Sequence, residues 1–228
     1  WGFTRRMALY VLSKVGTSVR MQAVTWLILA TSISFVAANV VIAIALTPIV
    51  LEMLKAVGYN SPDKLLKSKS AMLIIIAVGI GASLGGFLTP MAGGQAAITW
   101  TQLCQTLGYT VPMAPFAGRL ALPVFLSIIP VALLFGIFLP ADARRFEGSE
   151  DYFREELAKM GPLSRSESWG VTIFLFAIIL PFSQPLWQPA IPEGIDINPN
   201  VIFGTITCIL ALIPAPDKGA KVTPFPYE

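Results

Sequence analysis

Near the middle of the chain, residues 81–97 read GASLGGFLTPMAGGQAA. This stretch contains five glycines and one proline, and it lies inside a run of 49 residues, 70–118, that carries no charge. Glycine and proline destabilise a helix interior, so one uninterrupted helix over this run is disfavoured. We predict two half-helices, 71–84 and 96–107, joined by an unwound loop.

Four further charge-free runs lie on either side, at 21–51, 120–141, 168–192 and 197–216. Together the five runs hold 147 of the 228 residues. A helix that crosses a bilayer needs about 20 consecutive, mostly apolar residues. Charged residues make up 13% of the chain, against about 25% in ordinary soluble domains. The sequence therefore predicts an all-α polytopic membrane protein.

Several function classes are disfavoured by residue types that the sequence lacks. It has no histidine, and Cys104 and Cys208 lie far apart inside apolar runs, so a zinc-dependent enzyme is not expected. No GxxxxGK[ST] phosphate loop and no CxxC motif occur, and no nucleophile and base pair can be named. We therefore predict no enzymatic activity. The net charge of +3 indicates membrane topology rather than nucleic-acid binding, because the basic residues cluster at the ends of apolar runs.

The run 21–51 does not fit a straight span. As one helix its 31 residues would measure about 46 Å, against a hydrocarbon core of about 30 Å. Two arms of about 15 residues would be too short to cross twice. Basic residues on both sides place both ends in the cytoplasm by the positive-inside rule, so we predict a re-entrant hairpin over 21–55 with its tip near 37–40. These basic residues are Arg5, Arg6, Lys14 and Arg20 before the run, and Lys55, Lys64, Lys67 and Lys69 after it.

The positive-inside rule also predicts the membrane topology of the segments that follow. Two spans within 70–118 would leave the basic residues of 142–167 outside, so one span broken at mid-membrane is favoured. Residues 70–141 then hold the broken helix and a following helix over 120–141, with Arg119 at its outer end and kinks at Pro123 and Pro130.

Four more segments complete the predicted order. Residues 1–20 form an interfacial amphipathic helix, because apolar and basic residues alternate there at helical spacing. Residues 142–167 form a cytoplasmic surface helix with a Glu155–Lys159 pair. Residues 168–216 hold two scaffold transmembrane helices, 168–186 and 199–213, and 217–228 are a truncated connector.

Two consecutive membrane elements are thus interrupted, at the hairpin tip and at the loop 85–94. Such breaks persist only where protein, water or a ligand satisfies the freed backbone groups. Helix N-termini favour anions, and unwound carbonyls coordinate cations. The charge-free runs hold no Asp, Glu or His, so carbonyls, hydroxyls and amides would bind the cation, which favours sodium over a proton.

At these residues the sequence resembles the divalent anion:sodium symporters. Residues 1–20, WGFTRRMALYVLSKVGTSVR, and 34–50, SFVAANVVIAIALTPIV, are similar to an interfacial helix that leads to a hairpin tipped by Ser-Asn-Thr. GGFLTPMAGGQAA, at 85–97, resembles the family's G-x-x-T-P-x-G-T-P-P-N loop. EDYFREELAKMGPLSRSE, at 150–167, resembles the stretch before its scaffold helices.

The resemblance implies half of an inverted-repeat, elevator-type transporter that couples sodium entry to uptake of a dicarboxylate, tricarboxylate or sulfate. The second inverted repeat would come from sequence outside this chain or from a partner, and a homodimer in a bacterial inner membrane is implied. Carried over by residue, the sodium ligands are Ser34, Asn39 and Gly86, and the substrate-binding positions are Ala38, Asn39, Val40, Thr89 and Pro90.

This chain departs from the family pattern at two places. Ala38 and Val40 replace the Ser and Thr beside the tip asparagine, and AGGQA at 92–96 replaces G-T-P-P-N, with Gln95 as a partial substitute. Two other interpretations stay open. The arsenite or sodium/proton antiporter group shares the hairpin and the Thr-Pro loop, although a titratable acid near the tip would favour it and none is present. A non-transporting, degenerate membrane subunit would account for the lost hydroxyls.

Overall fold

The computed structural model describes Arg6, Leu9, Tyr10, residues 13–35, 37–162 and 165–191, and also Thr205 and Cys208. The predicted span 199–213, apart from Thr205 and Cys208, and the predicted connector 217–228 lie outside the described residues. So do nine residues of the predicted interfacial helix, at 1–5, 7, 8, 11 and 12.

Within the described residues the chain is helical, with one isolated β-bridge between Ser18 and Arg145. The helices are α1 (Val19–Ser34), α2 (Asn39–Ala56), α3 (Pro62–Lys67), α4 (Lys69–Gly85), α5 (Gly94–Leu107), α6 (Met113–Leu133), α7 (Ser149–Lys159), α8 (Arg165–Phe182) and α9 (Gln184–Trp187). A π-helical turn, Leu134–Phe138, extends α6, and a 3₁₀ turn, Gln188–Ala190, follows α9.

The run 21–51 forms two helices, of which the first ends at Ser34 and the second begins at Asn39. The break thus lies slightly before the predicted tip at 37–40, and Asn39 and Val40 belong to the first turn of α2. The arms α1 and α2 have 16 and 18 residues, so both are longer than the sequence suggested. By length and composition α2 could cross a membrane. The argument that the arms are too short to span is therefore wrong for α2, and the prediction of a re-entrant course now rests on the basic residues at both ends of the run.

The predicted interruption of the next element is confirmed. α4 ends at Gly85 and α5 begins at Gly94, close to the predicted ends at 84 and 96. α5 ends where Gly108 takes the left-handed φ of +72°, a conformation that glycine adopts without steric cost.

The start of α4 is held by capping groups. The Ser68 hydroxyl accepts from the Ala71 N–H at 3.2 Å, and the Asp142 carboxylate accepts from the Ser70 N–H at 2.8 Å and from the Ser68 hydroxyl at 3.1 Å. Partial burial acts to raise the pKa of Asp142, but the hydrogen bonds from Ser70 and Ser68 outweigh it and hold that pKa below its usual range. Asp142 thereby ties the chain after α6 to the start of α4.

α1 packs directly along α4, and two glycines set their separation. A Cβ built on Gly81 would overlap the Leu27 carbonyl, and one on Gly85 would overlap the Thr31 carbonyl. Small residues let helix backbones approach this closely. The core around this contact contains Trp26, Leu27, Ile74 and Phe135, all fully buried.

α6 differs from the predicted helix over 120–141. It begins at Met113, so Arg119 lies inside the helix, exposed, rather than at its outer end. Pro112 precedes the helix and Pro115 lies in its first turn, where proline needs no helical N–H partner. Pro123 and Pro130 lie within continuous helix, and the π turn follows, with the Leu139 N–H bonded to the Leu134 carbonyl at 2.9 Å. Met113–Phe138 is long and apolar enough to cross a membrane.

The polar segment 142–167 contains a shorter helix than predicted, α7. The predicted partner of Lys159 is wrong: Lys159 pairs with Glu156 at 2.7 Å, three residues earlier, and not with Glu155. Spacings of three and four both place side chains on one helix face, so the sequence alone did not distinguish them. The hydrogen bond and the charge of Glu156 raise the pKa of Lys159.

A salt bridge joins the segment before α1 to the start of α8. Arg6 Nε and Nη2 donate to the two carboxylate oxygens of Glu167 at 3.1 and 2.9 Å. The same guanidinium donates to the Gly161 carbonyl at 2.7 Å and to the Met160 carbonyl at 3.2 Å, at the end of α7. Glu167 is 5% exposed. The chain entering the hairpin and the chain leaving α7 are therefore held together.

Candidate functional site

The two interruptions lie in contact with each other. The Thr89 hydroxyl in the loop donates to the Phe35 carbonyl at the tip, at 2.9 Å. The Asn39 N–H at the start of α2 donates to the Ala92 carbonyl in the loop, at 2.8 Å. The tip, 35–38, and the loop, 86–93, thus form one structure, which we call the tip–loop junction.

Asn39 faces the loop with its side chain as well as with its backbone. Its Oδ1 accepts from the Val40 N–H at 2.8 Å, so Nδ2 faces Gly86. A Cβ built on Gly86 would lie 3.0 Å from that Nδ2. Glycine at this position lets the amide lie directly against the loop backbone.

Ser34 ends α1 at the same junction and is fully buried. Its hydroxyl donates to the Ala37 carbonyl at a long 3.4 Å. A Cβ on Gly85 would come within 2.8 Å of the Ser34 Cβ, so α1 and α4 end side by side. The Ser34 oxygen and the last carbonyls of α1 and α4 therefore lie in one region.

Four helix termini meet at the junction, since α1 and α4 end there and α2 and α5 begin there. The residues before α2 and α5 are Ala38 and Gly93, and neither provides a side-chain cap. By contrast, α3 and α4 are capped by Ser61 and Ser68. At α2 the Asn39 N–H is already bonded to the Ala92 carbonyl and the Val40 N–H to the Asn39 Oδ1. The first N–H groups of α5 are thus the ones left to other partners, and both helix starts carry the positive ends of the helix dipoles.

The remaining predicted residues are distributed unevenly. Thr89 and Pro90 are buried in the loop, whereas Ala38 and Val40 are exposed, Val40 by 63%. The side chain of Gln95 is exposed in the first turn of α5. Since the Thr89 hydroxyl donates a hydrogen bond to the Phe35 carbonyl, its role in the structure is to hold the tip and the loop together.

Sequence reasoning missed the backbone groups that complete the junction. The Phe35 and Ala92 carbonyls accept the two hydrogen bonds between tip and loop. Gly93 lies against Gly86, where a Cβ would overlap the Gly86 carbonyl. The glycine pairs at 85–86 and 93–94 were the available signal, because both mark places where backbone meets backbone.

The oxygen atoms at the tip–loop junction suit a small alkali cation as ligands. No group of three His, Cys, Asp or Glu that could hold a metal ion occurs in the part of the chain that the structure describes. The junction offers neutral oxygens, namely the Ser34 hydroxyl, the Asn39 amide and loop carbonyls such as that of Gly86. Neutral oxygens of this kind bind sodium, while the helix N-termini beside them favour an anion.

The chain belongs to a family of membrane transporters: the model described as the sodium:sulfate symporter transmembrane region matches residues 1–217. This confirms the predicted resemblance to the divalent anion:sodium symporters. The matched region is transmembrane, and α2 and α6 are apolar and long enough to span, so the chain is an integral membrane protein.

Two curated relatives are similar to this chain. The sodium-dependent dicarboxylate transporter SdcS of Staphylococcus saprophyticus is 22% identical over 225 residues, covering 96% of this chain and 43% of that protein. The chloroplastic dicarboxylate transporter 1 of Spinacia oleracea is 27% identical over 158 residues, covering 69% of this chain and 26% of that protein. The chain thus spans less than half the length of either relative.

Proposed function

We propose that the chain is part of a secondary transporter that couples sodium entry to the uptake of a small anion, a dicarboxylate, tricarboxylate or sulfate. Membership of the sodium:sulfate symporter family and the names of the two relatives support this proposal. The observation that carries it is the contact between the two helix interruptions through Thr89 and Asn39.

In this proposal sodium binds at the ends of α1 and α4. Its ligands are the Ser34 hydroxyl, the Gly86 carbonyl and the Asn39 amide oxygen, which has to turn toward Gly86 from the Val40 N–H that it accepts from in the structure. Burial of Ser34 and the absence of charged residues from 31–47 and 83–99 support a site built from neutral oxygens. Sodium would bridge the two helix ends and hold the tip against the loop.

The anion binds at the N-termini of α2 and α5. The anion site is lined on the hairpin side by Ala38, Asn39 and Val40. On the loop side it is shaped by Thr89 and Pro90. With Ala38 and Val40 in place of hydroxyl residues, the backbone N–H groups at the start of α5 and the Asn39 Nδ2 supply the donors, since the Asn39 and Val40 N–H groups already have partners. Sodium bound next to the anion would add the positive charge that the side chains do not provide.

Transport follows an elevator mechanism in this proposal. The re-entrant hairpin and the broken helix form the moving unit with α6, while α8 belongs to the scaffold. A second inverted repeat, from further sequence of the same polypeptide, completes the site, and the protein is a homodimer in a bacterial inner membrane. The chain covers 43% of the sodium-dependent relative, which leaves room for a repeat of similar length.

The proposal is tested by uptake of labelled succinate and sulfate into proteoliposomes that hold the full polypeptide. The inward gradient is sodium in one arm and choline in the other. Uptake that needs sodium, is lost with Asn39→Ala and persists with Asn60→Ala supports the proposal, since Asn60 is exposed between α2 and α3. No uptake of either anion by folded protein would contradict it and favour a non-transporting subunit.

A further inference from the structure

α5 presents an uncharged polar face that the proposed site does not use. Between residues 95 and 106 it exposes seven side chains, of which six are threonine or glutamine. The six are Gln95, Thr99, Thr101, Gln102, Gln105 and Thr106, and the seventh is Ile98, which is 62% exposed on the same face. The buried face holds Ala96 and Trp100, and the Trp100 indole N–H donates to the Val111 carbonyl at 2.9 Å.

The threonine hydroxyls on this face already donate hydrogen bonds to backbone carbonyls of the same helix. Thr99 donates to the Gln95 carbonyl at 2.9 Å, Thr101 to the Ala97 carbonyl at 2.9 Å and Thr106 to the Gln102 carbonyl at 2.8 Å. Their lone pairs therefore remain available outside the helix. The side-chain amides of the three glutamines form no hydrogen bond with any residue that the structure describes.

Hydrocarbon does not suit this face, because an amide moved from water to lipid without a partner is costly. α6 shows the composition expected at lipid: its exposed residues include Leu122, Phe125 and Ile129. A tight helix contact does not suit it either. Where two helices of this chain approach closely, Gly81 and Gly85 lie at the contact, whereas glutamine side chains keep neighbouring backbones apart.

The polar face begins at the tip–loop junction. Gln95 is the second residue of α5, directly after the loop, and Thr106 lies near the other end of this 14-residue helix. Since α4 starts on the cytoplasmic side in the proposed topology, α5 runs from the junction to the outer side. The face thus extends about 17 Å from the site toward the outer surface.

The geometry points to a water-filled pathway, lined by the polar face of α5, through which hydrated sodium reaches the tip–loop junction from outside. This inference rests on the proposed function. Threonine and glutamine oxygens can replace part of the hydration shell of sodium, and the lack of fixed charge prevents tight binding along the way. Water fills the pathway between sodium ions and satisfies the glutamine amides.

The test is cysteine accessibility in the full polypeptide, with Cys104→Ser and Cys208→Ser as background. Thr99→Cys, Gln102→Cys and Ile129→Cys are treated from outside with a cationic, membrane-impermeant methanethiosulfonate. Ile129, exposed on apolar α6, is the lipid-facing control. We expect Thr99→Cys and Gln102→Cys to react at least about tenfold faster than Ile129→Cys, because the reactive thiolate forms where water reaches the thiol.

Sodium-dependent uptake by the background protein keeps the two proposals apart. If uptake is present and both α5 cysteines are as slow as Ile129→Cys, the pathway is wrong while the proposed function stands. Equally fast reaction at all three positions would also overturn it, because the difference between the two helices would be absent. Fast reaction confined to α5 in a protein without uptake would show that water reaches this face, but it would count against sodium-coupled transport and overturn the assignment of the pathway to sodium.

Discussion

Replacing Gly85 by alanine should separate α1 from α4 at the candidate sodium site. The new Cβ would overlap the Thr31 carbonyl and lie 2.8 Å from Ser34 Cβ and 3.1 Å from the Ser34 carbonyl carbon. Two of these neighbours are backbone atoms, so a rotamer change cannot relieve the overlap. Overpacking of this kind costs about 1–3 kcal/mol, and we expect the upper part of that range.

Gly79→Ala is the matched control on the same helix. A Cβ on Gly79 meets nothing within 4 Å, so alanine there should only add helix propensity, about 0.5–1 kcal/mol. With about 2–4 °C per kcal/mol for chains of about 150–250 residues, a cost of about 2–3 kcal/mol should lower the Tm of Gly85→Ala by about 4–12 °C, and Gly79→Ala should raise it slightly.

Thermal unfolding of the purified full polypeptide, followed by tryptophan fluorescence at fixed sodium concentration, measures both variants. Gly85→Ala should also weaken sodium binding, because Ser34 moves with α1. A Gly85→Ala protein as stable as the wild type, or a parallel change in both variants, would refute the close contact between α1 and α4.

Three further predictions concern single contacts, and each is checked by thermal unfolding. Thr89→Val keeps the side-chain shape but leaves the Phe35 carbonyl without its donor, so stability should fall by about 1–3 kcal/mol, whereas Thr89→Ser should be close to wild type; equal loss in both would contradict a role for the hydrogen bond. Arg6→Ala breaks a mostly buried salt bridge and should destabilise by about 3–5 kcal/mol, more than Arg6→Lys, which keeps the charge; no loss would show that the pair is unimportant. The lowered pKa of Asp142 means that its stabilising contribution is present above its unfolded pKa, near 3.8, and is lost as the pH falls through the lower folded value. The Asp142→Asn protein should therefore be less stable at pH 7, and its stability should depend less on pH below about 4. The same loss of stability below about pH 4 as in the wild type would contradict this.

The helix interruptions could be predicted from the sequence because their causes are local. The glycine pair at 85–86 ends α4 and the pair at 93–94 precedes and begins α5, both close to the predicted positions, and Asn39 marks the start of α2. The start of α6 lies at Met113, seven residues before the predicted start at 120, because the charge of Arg119 ends an apolar run without ending the helix. Proline before and within the first turn, at Pro112 and Pro115, was the stronger signal, since it favours a helix start.

The contacts within the site could not be predicted in the same way. Thr89 and Phe35 are 54 residues apart, and their hydrogen bond depends on how α1 packs against α4. The family resemblance implies that Thr89 is a substrate-binding position, but it implies nothing about the Phe35 carbonyl. Backbone acceptors have no signature in the sequence, so the residues that supply them become visible only when the helices are placed.

Binding of radioactive sodium to the purified full polypeptide tests the central claim, that the tip–loop junction binds sodium through neutral oxygens. Ser34→Ala removes a buried hydroxyl at the junction, and Ser32→Ala, on the same helix, removes an exposed one that donates to the Ile28 carbonyl. We predict saturable binding that is weakened by Ser34→Ala and unchanged by Ser32→Ala. Saturable binding that is the same in both variants would place sodium elsewhere and contradict the proposed site.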